Sequence, residues 1–258
     1  MEEYLKFACE IAKYAGKEML NHFDVNEEYD YKEDKTVVTK SDKDINHYLI
    51  EKVKKHYPSH SVIGEEESYI QDSNYAWVCD PIDGTGMFIE RIPVAVFSLA
   101  LVIDGVPKVA VVYDPFFDKM YTAIQGQGAY CNNERIHVNN KKLYDEGYRM
   151  NLEMWNKAEY DTLLLAKEFI DKAALSQIGS VARSCMAIAS GDFSCDIFPG
   201  TKHANCDIAA SCLIVKEAGG MVTNIFGEDQ RYDQDIKGAI ISNGISHEEV
   251  LSIIKKCL

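Results

Sequence analysis

Three groups of acidic residues in this sequence have the types and surroundings that metal chemistry needs. The most specific is Asp80-Pro81-Ile82-Asp83-Gly84-Thr85, which follows the apolar run Trp77-Val78-Cys79. A buried strand ending in this string brings two carboxylates and an exposed carbonyl to one tight turn, oxygen donors of the kind a hard cation such as Mg²⁺ takes. Pro81 fixes its own φ and has no N–H to donate, and Gly84 lets the backbone come close to a ligand. The bland alternative is an Asx-type turn whose aspartates bond only to nearby backbone. The stretch Gly84-Thr85-Gly86-Met87-Phe88 can begin a helix whose first N–H groups would face the metals and seat a phosphate.

The other two groups are less specific on their own. Gly64-Glu65-Glu66-Glu67-Ser68 follows the short apolar stretch Val62-Ile63, and three consecutive glutamates are more often a solvated loop than a site. In Asn205-Cys206-Asp207-Ile208-Ala209-Ala210, Asp207 is placed as first residue or cap of a helix of small residues that ends at Glu217-Ala218-Gly219-Gly220. A capping aspartate can also be a ligand. No EF-hand loop spacing occurs, and the acids come from distant segments, which disfavours a structural Ca²⁺ module.

These acids must be positioned by the elements around them. Tyr4 to Phe23 has apolar residues at helical spacing, and a second helix is expected after a cap at Ser41 or Asp42, with Ile45, Leu49 and Val53 on its apolar face until Tyr57-Pro58. Between them, 26–35 is polar and reads as a mobile loop or short hairpin. Apolar alternation at 94–103, 108–113 and 120–123, with turn signals at Asp104-Gly105 and Asp114-Pro115, predicts an antiparallel meander. Further helices are expected over 159–172, 180–190, 207–218 and 247–256, and strands near 148–153, 196–198 and 238–242. Blocks of helices and strands in this order imply an α/β architecture of layered sheets with helices between and outside them. Gly126-Gln127-Gly128 lies between strands with no helix after it, so it reads as a turn and not as a dinucleotide loop.

A chain of 258 residues with 47% hydrophobic content can bury a full core, and it is read as a single domain over 1–258. Forty-one acidic against 27 basic residues give a formal net charge of −14, which argues against nucleic acid or an anionic membrane as partner and suits a binder of cations. No apolar run is long enough to span a bilayer and the acidic start is unlike a secretory signal, so a cytoplasmic protein is expected. The eight cysteines form no C-x-x-C pair and read as reduced thiols.

Taken together, Gly64-Glu65-Glu66, Asp80-Pro81-Ile82-Asp83-Gly84-Thr85 and Asp207-Ile208-Ala209-Ala210 resemble the inositol monophosphatase family in type, order and separation. The resemblance extends to Thr39-Lys40-Ser41-Asp42, Val111-Val112-Tyr113-Asp114-Pro115, Gly126-Gln127-Gly128-Ala129 and Lys216-Glu217-Ala218-Gly219-Gly220, and so to most of the chain. It implies a five-layer α-β-α-β-α sandwich of the inositol monophosphatase and fructose-1,6-bisphosphatase type, with two or three Mg²⁺ per site. Matched by motif, Glu65, Asp80 and the Ile82 carbonyl would hold one metal, and Asp80, Asp83 and Asp207 a second. Asp42, Glu65 and Thr85 would form the catalytic set, with a metal-activated water giving up its proton through Thr85 to Asp42. The Gly84 and Thr85 N–H groups, with Asp83 and Asp207, would contact the substrate.

The implied activity is Mg²⁺-dependent hydrolysis of a small phosphorylated metabolite, an inositol monophosphate or a related sugar or polyol phosphate. A homodimer is expected by analogy with the family. An aspartyl-nucleophile loop of the Asp-x-Asp-x-Thr kind does not fit, because two residues, not one, separate Asp80 from Asp83. On the substrate side the chain departs from inositol-specific members: Gly200 stands where they have a sugar-gripping glutamate, and Cys206 where tryptophan is common. Lys202, His203 and Arg183 are the candidates for contacts to the rest of the substrate, with surface salt bridging as the ordinary alternative for Arg183. Fructose 1,6-bisphosphate, histidinol phosphate, nucleotide 3′-phosphates and NADP stay open as substrates. A metal-binding regulator without catalysis is the alternative of another class.

Overall fold

The first 23 residues are apolar along one side, and helix α1 (Glu2–Phe23) buries Phe7, Ala8, Ile11, Ala12, Ala15 and Met19. The computed structural model describes residues 1–258 except 26–27, 33–35, 155–160, 200–203 and 258. After α1, strands β1 (Tyr29–Tyr31) and β2 (Val37–Thr39) pair antiparallel, the hairpin alternative of the expected polar segment. Helix α2 (Lys40–His56) is capped by Thr39, earlier than the expected Ser41 or Asp42. Asp42 is instead the third helical residue of a capping box, accepting from the Thr39 N–H at 2.8 Å and the Thr39 hydroxyl at 2.6 Å.

Seven strands form the larger sheet, in the order β3 (Ser61–Gly64), β4 (Tyr75–Asp83), β5 (Val96–Ile103), β6 (Val106–Asp114), β7 (Lys119–Ile124), β8 (Ala129–Cys131) and β9 (Glu134–Arg135). Only β3 and β4 run parallel; the rest is the expected meander, extended by two short strands. The five-residue helix α3 (Thr85–Ile89) leaves the end of β4.

The smaller sheet is mixed, because its strands are separated by helices. Along the chain come β10 (Arg149–Leu152), α4 (Thr162–Phe169), β11 (Ala174–Ser176), α5 (Val181–Ala189), β12 (Cys195–Phe198), α6 (Ala204–Glu217), β13 (Met221–Thr223), β14 (Ala239–Ser242) and α7 (His247–Ile254). Their order across the sheet is β11-β10-β12-β14-β13. Helix α4 is shorter than the expected 159–172, since Asp161 caps it by accepting from the Leu163 and Leu164 N–H groups; 159–160 lie outside the described residues. Asp207 falls inside the first turn of α6 and is not its cap. The Gly126-Gln127-Gly128 segment is a turn, as expected, and its two glycine N–H groups both donate to the Glu217 carboxylate at 2.7 Å.

Strand alternation explains the layering. One face of the seven-stranded sheet, with Trp77, Cys79, Leu99 and Val111, packs on α1 and α2. The other, with Val78, Ala100 and Val112, packs on α5 and α6, which also meet Phe198 and Ile241 of the smaller sheet. The remaining face of that sheet, with Met150, Ile197 and Ile240, is covered by α4 and α7. The layers are therefore α-β-α-β-α. All eight cysteines are free thiols. No helix among the described residues is long and apolar enough to cross a membrane.

Candidate metal centre

Asp80 and Asp83 are three apart, and on an uninterrupted strand residues at that spacing face opposite sides. The β4–β5 pairing breaks between them: Asp80 lies opposite Ser98 and Asp83 opposite Val96, so β4 carries one extra residue. This bulge turns both carboxylates toward the same place, and Pro81 within it leaves no N–H unpaired. The Asp80 Oδ1 also accepts from the Ile82 N–H at 3.0 Å, so the Asx-type turn and the carboxylate cluster coexist.

Asp207 reaches the same place from the first turn of α6. Oxygens of Asp80, Asp83 and Asp207 all lie within 4.8 Å of one another. Asp83 is aimed by the start of α5: it accepts from the Ser180 hydroxyl at 2.5 Å, the Ala182 N–H at 2.6 Å and the Val181 N–H at 3.3 Å. Gly84 allows this approach, because it is left-handed (φ 94°) and a Cβ there would stand 3.0 Å from both the Gly179 carbonyl and the Ser180 Cβ.

Glu65, at the end of β3, is not within that trio. Its Oε1 takes a 2.7 Å bond from the Lys32 ammonium, which also donates to Glu66 at 2.5 Å. Burial pulls Lys32 down, but pairing with Glu65 and Glu66 outweighs this and its pKa rises. On the other side of the centre, the Thr85 hydroxyl is 2.9 Å from the Ile82 carbonyl and 3.2 Å from Asp42 Oδ1. Thr85 and Asp42 are thus brought together across the end of β4 and the start of α2.

The electrostatics are those of a cation site. Burial raises Asp80 well above the usual carboxylate range, with Glu65, Asp83 and Asp207 adding to it. Asp207 is likewise raised well above it by burial, then by the neighbouring charges of Asp83 and Glu65. Burial pushes Asp83 up to about 6, although the Ser180 and backbone bonds oppose this. Asp42, fully buried, is pushed to about 7 by burial against its bonds from Thr39. A buried all-oxygen donor set whose acids repel one another, with a lysine ammonium at its edge, fits Mg²⁺.

Arg183 is not brought to this centre. Its Nε pairs at 3.2 Å with Asp114, a buried carboxylate at the end of β6, so the salt bridge is the observed role. Lys202, His203 and Gly200 lie outside the described residues. Sequence reasoning missed Lys32, Glu66 and Ser180. Gly179-Ser180 before a run of small residues is legible as a helix start, but nothing in it shows that the hydroxyl points to Asp83. Lys32 sits in a polar stretch with no local signal of its reach.

The whole chain, residues 1–258, matches the family model described as the inositol monophosphatase family. Inositol monophosphatase 2 of Solanum lycopersicum is 30% identical over 240 residues, spanning 89% of this chain and 90% of that protein. Nus factor SuhB of Escherichia coli is 32% identical over 234 residues, spanning 88% and 87%. Among solved structures, an IMPase/NADP phosphatase complexed with Mg²⁺ and phosphate superposes with a TM-score of 0.83 at 27% identity, covering 98% of this chain and 95% of that one. The sandwich, the gathered carboxylates and the match along the full sequence agree: the protein belongs to the inositol monophosphatase family.

Proposed function

We propose that this chain hydrolyses small phosphate monoesters, inositol monophosphate or a related sugar or polyol phosphate, with two or three Mg²⁺ held at the centre just described. The observation that carries this is the convergence of Asp80, Asp83 and Asp207 beside the Thr85–Asp42 pair. Glu65 and the Ile82 carbonyl would complete the ligand set. When bound, Mg²⁺ supplies positive charge that polarises the phosphoryl group and favours a nucleophilic hydroxide at neutral pH.

The chain's own residues supply the rest. Thr85 Oγ1 would take a proton from the attacking water as its own hydroxyl proton passes to Asp42 Oδ1, which leaves Thr85 neutral and Asp42 protonated. With Asp42 pushed to about 7, that carboxylate is poised as a base near neutral pH. The N–H groups of Gly84 and Thr85 would receive phosphate oxygens, and the Ser180 and Ala182 donors keep Asp83 aimed at the centre. No side chain in this scheme forms a bond to phosphorus.

Two relatives support the substrate class: the tomato protein is called an inositol monophosphatase, and the solved neighbour is called an IMPase/NADP phosphatase. Retention of every matched acid together with Thr85 and Asp42 supports a catalyst over a metal-binding regulator. A cytoplasmic homodimer is part of the same proposal. Phosphate release should be measured from inositol monophosphates, fructose 1,6-bisphosphate, histidinol phosphate, 3′-phosphoadenosine 5′-phosphate and NADP, with Mg²⁺ and with chelator. Release from at least one compound that chelator abolishes is the expected result. Silence across the panel despite measurable Mg²⁺ binding would favour the regulator.

A further inference from the structure

Helix α5 is gripped at its first turn from both sheets, and only one grip belongs to the metal centre. From the larger sheet, Asp83 takes the Ser180, Val181 and Ala182 donors. From the smaller sheet, the Asn151 Oδ1 accepts from the Ile178 N–H at 2.9 Å, just before the helix, and Asp196 accepts from the Ser184 hydroxyl inside it. The Asn151 amide then joins the second grip together, donating to Asp196 at 3.1 Å and to Glu153 at 2.7 Å. Asn151, Ser184 and Asp196 are fully buried and Glu153 nearly so.

These residues occupy positions where packing alone would place apolar side chains. Met150 and Leu152 face the α4 and α7 core, so Asn151 and Glu153 face the opposite way by strand alternation. On β12, Cys195 and Ile197 face that core and Asp196 faces α5. Burying four polar side chains between helix and sheet is costly unless each is bonded, and aliphatic residues would fill the space with no such demand. What aliphatic residues could not do is fix the rotation and depth of one helical turn through directional bonds.

We propose that Asp196 and Asn151 are positioning residues for Asp83: through Ser184 and the Ile178 N–H they hold the first turn of α5 where its donors orient the Asp83 carboxylate for metal binding. Burial raises both Glu153 and Asp196 above the usual carboxylate range, and the Asn151 amide and the Ser184 hydroxyl oppose this by bonding to the charged forms. Each carboxylate of the second grip takes a donor from the chain, so the grip closes on itself and can serve as the fixed reference for the first. Asp83 as a metal ligand, on which this inference rests, belongs to the function proposed above.

The test is a calorimetric titration of metal-stripped protein with Mg²⁺, well below the melting temperature, for wild type, Asp196→Ala, Asp196→Asn and Ser184→Ala. Loss of a partner behind a ligand typically weakens metal binding about 10-fold or more, and that is expected for Asp196→Ala. Asp196→Asn keeps an acceptor for Asn151 and a partner for Ser184, so it should restore near wild-type affinity. Ser184→Ala should lie between them, and it decides the matter if Asp196→Ala does not fold. Variants with lowered melting temperature and wild-type Mg²⁺ affinity would show a purely structural role and overturn the inference. A wild type that binds no Mg²⁺ would instead overturn the metal centre itself, and this inference with it.

Discussion

Helix α5 lies between two sets of buried carboxylates, and they are satisfied in different ways. On the smaller sheet, an asparagine amide and a serine hydroxyl bond to Glu153 and Asp196, so each acid has a donor from the chain. On the side of the larger sheet, Asp80 at the end of β4 and Asp207 from α6 converge on each other, acid against acid. Asp83 is held by α5, yet its oxygens still lie within 4.8 Å of those of the other two. A set closed by its own donors needs no cation, whereas a set of acids converging on one another leaves a place for positive charge.

Neutralising one acid in each set should separate them most strongly. Asp83→Asn keeps an acceptor for the Ser180 and Ala182 donors but removes a charge from the proposed centre. Partners behind a ligand cost about 10–100-fold when lost, so a ligand itself should cost more than about 100-fold in Mg²⁺-dependent turnover, with the circular dichroism spectrum unchanged. Glu153→Gln, in the closed set, should leave turnover near wild type. Equal losses in the two variants would erase the distinction.

The dependence of stability on pH sharpens the comparison by a smaller amount. Asp83 is raised from 3.8 to about 6, Asp42 from 3.8 to about 7, and Glu153 from 4.5 to about 8. Each folded-state value exceeds the unfolded one, so each group contributes stability that is fully present below about pH 4 and is lost as pH rises through its folded value. In chelator, the melting temperature should therefore fall between pH 5 and pH 8. Saturating Mg²⁺ should offset the part due to Asp83 and leave that due to Glu153, which a paired set of thermal melts would resolve. A metal-free protein whose stability rises over this range would contradict the assignment of both sets.

The smallest effect is expected at Lys32, whose ammonium is the one charge the chain itself directs at Glu65 among its described hydrogen bonds. Lys32→Met should lower the melting temperature in chelator, where the pairing is lost, and tighten Mg²⁺ by a few-fold, since a competing cation is removed. Weaker Mg²⁺ binding would show instead that Lys32 orients Glu65 for the metal.

Much of the centre was legible because its residues combine local and chemical signals. The string from Asp80 to Thr85 announces a strand end, a turn and hard oxygen donors together, and the helix after it follows from Gly84. The meander was readable from alternation and from Asp104-Gly105, where both residues have positive φ. The bulge that unites Asp80 with Asp83 was not readable, because it depends on register against β5. Nor was the Asn151–Asp196 bracket, since polar residues in short strands look exposed until a helix is packed over them. The Arg183–Asp114 salt bridge was hidden for the same reason: the two are far apart along the chain and are brought near only by the sandwich.

The central claim is that Asp80, Asp83 and Asp207 form a Mg²⁺ site. Isothermal titration of the metal-stripped protein at pH 7, in two buffers of different ionisation enthalpy, tests it most directly. Because burial raises Asp80 and Asp207 well above the usual carboxylate range, Mg²⁺ should bind saturably and release protons. Asp207→Asn should abolish or greatly weaken that binding. Absence of binding to wild type, or binding of the same affinity and proton release in Asp207→Asn, would contradict the claim.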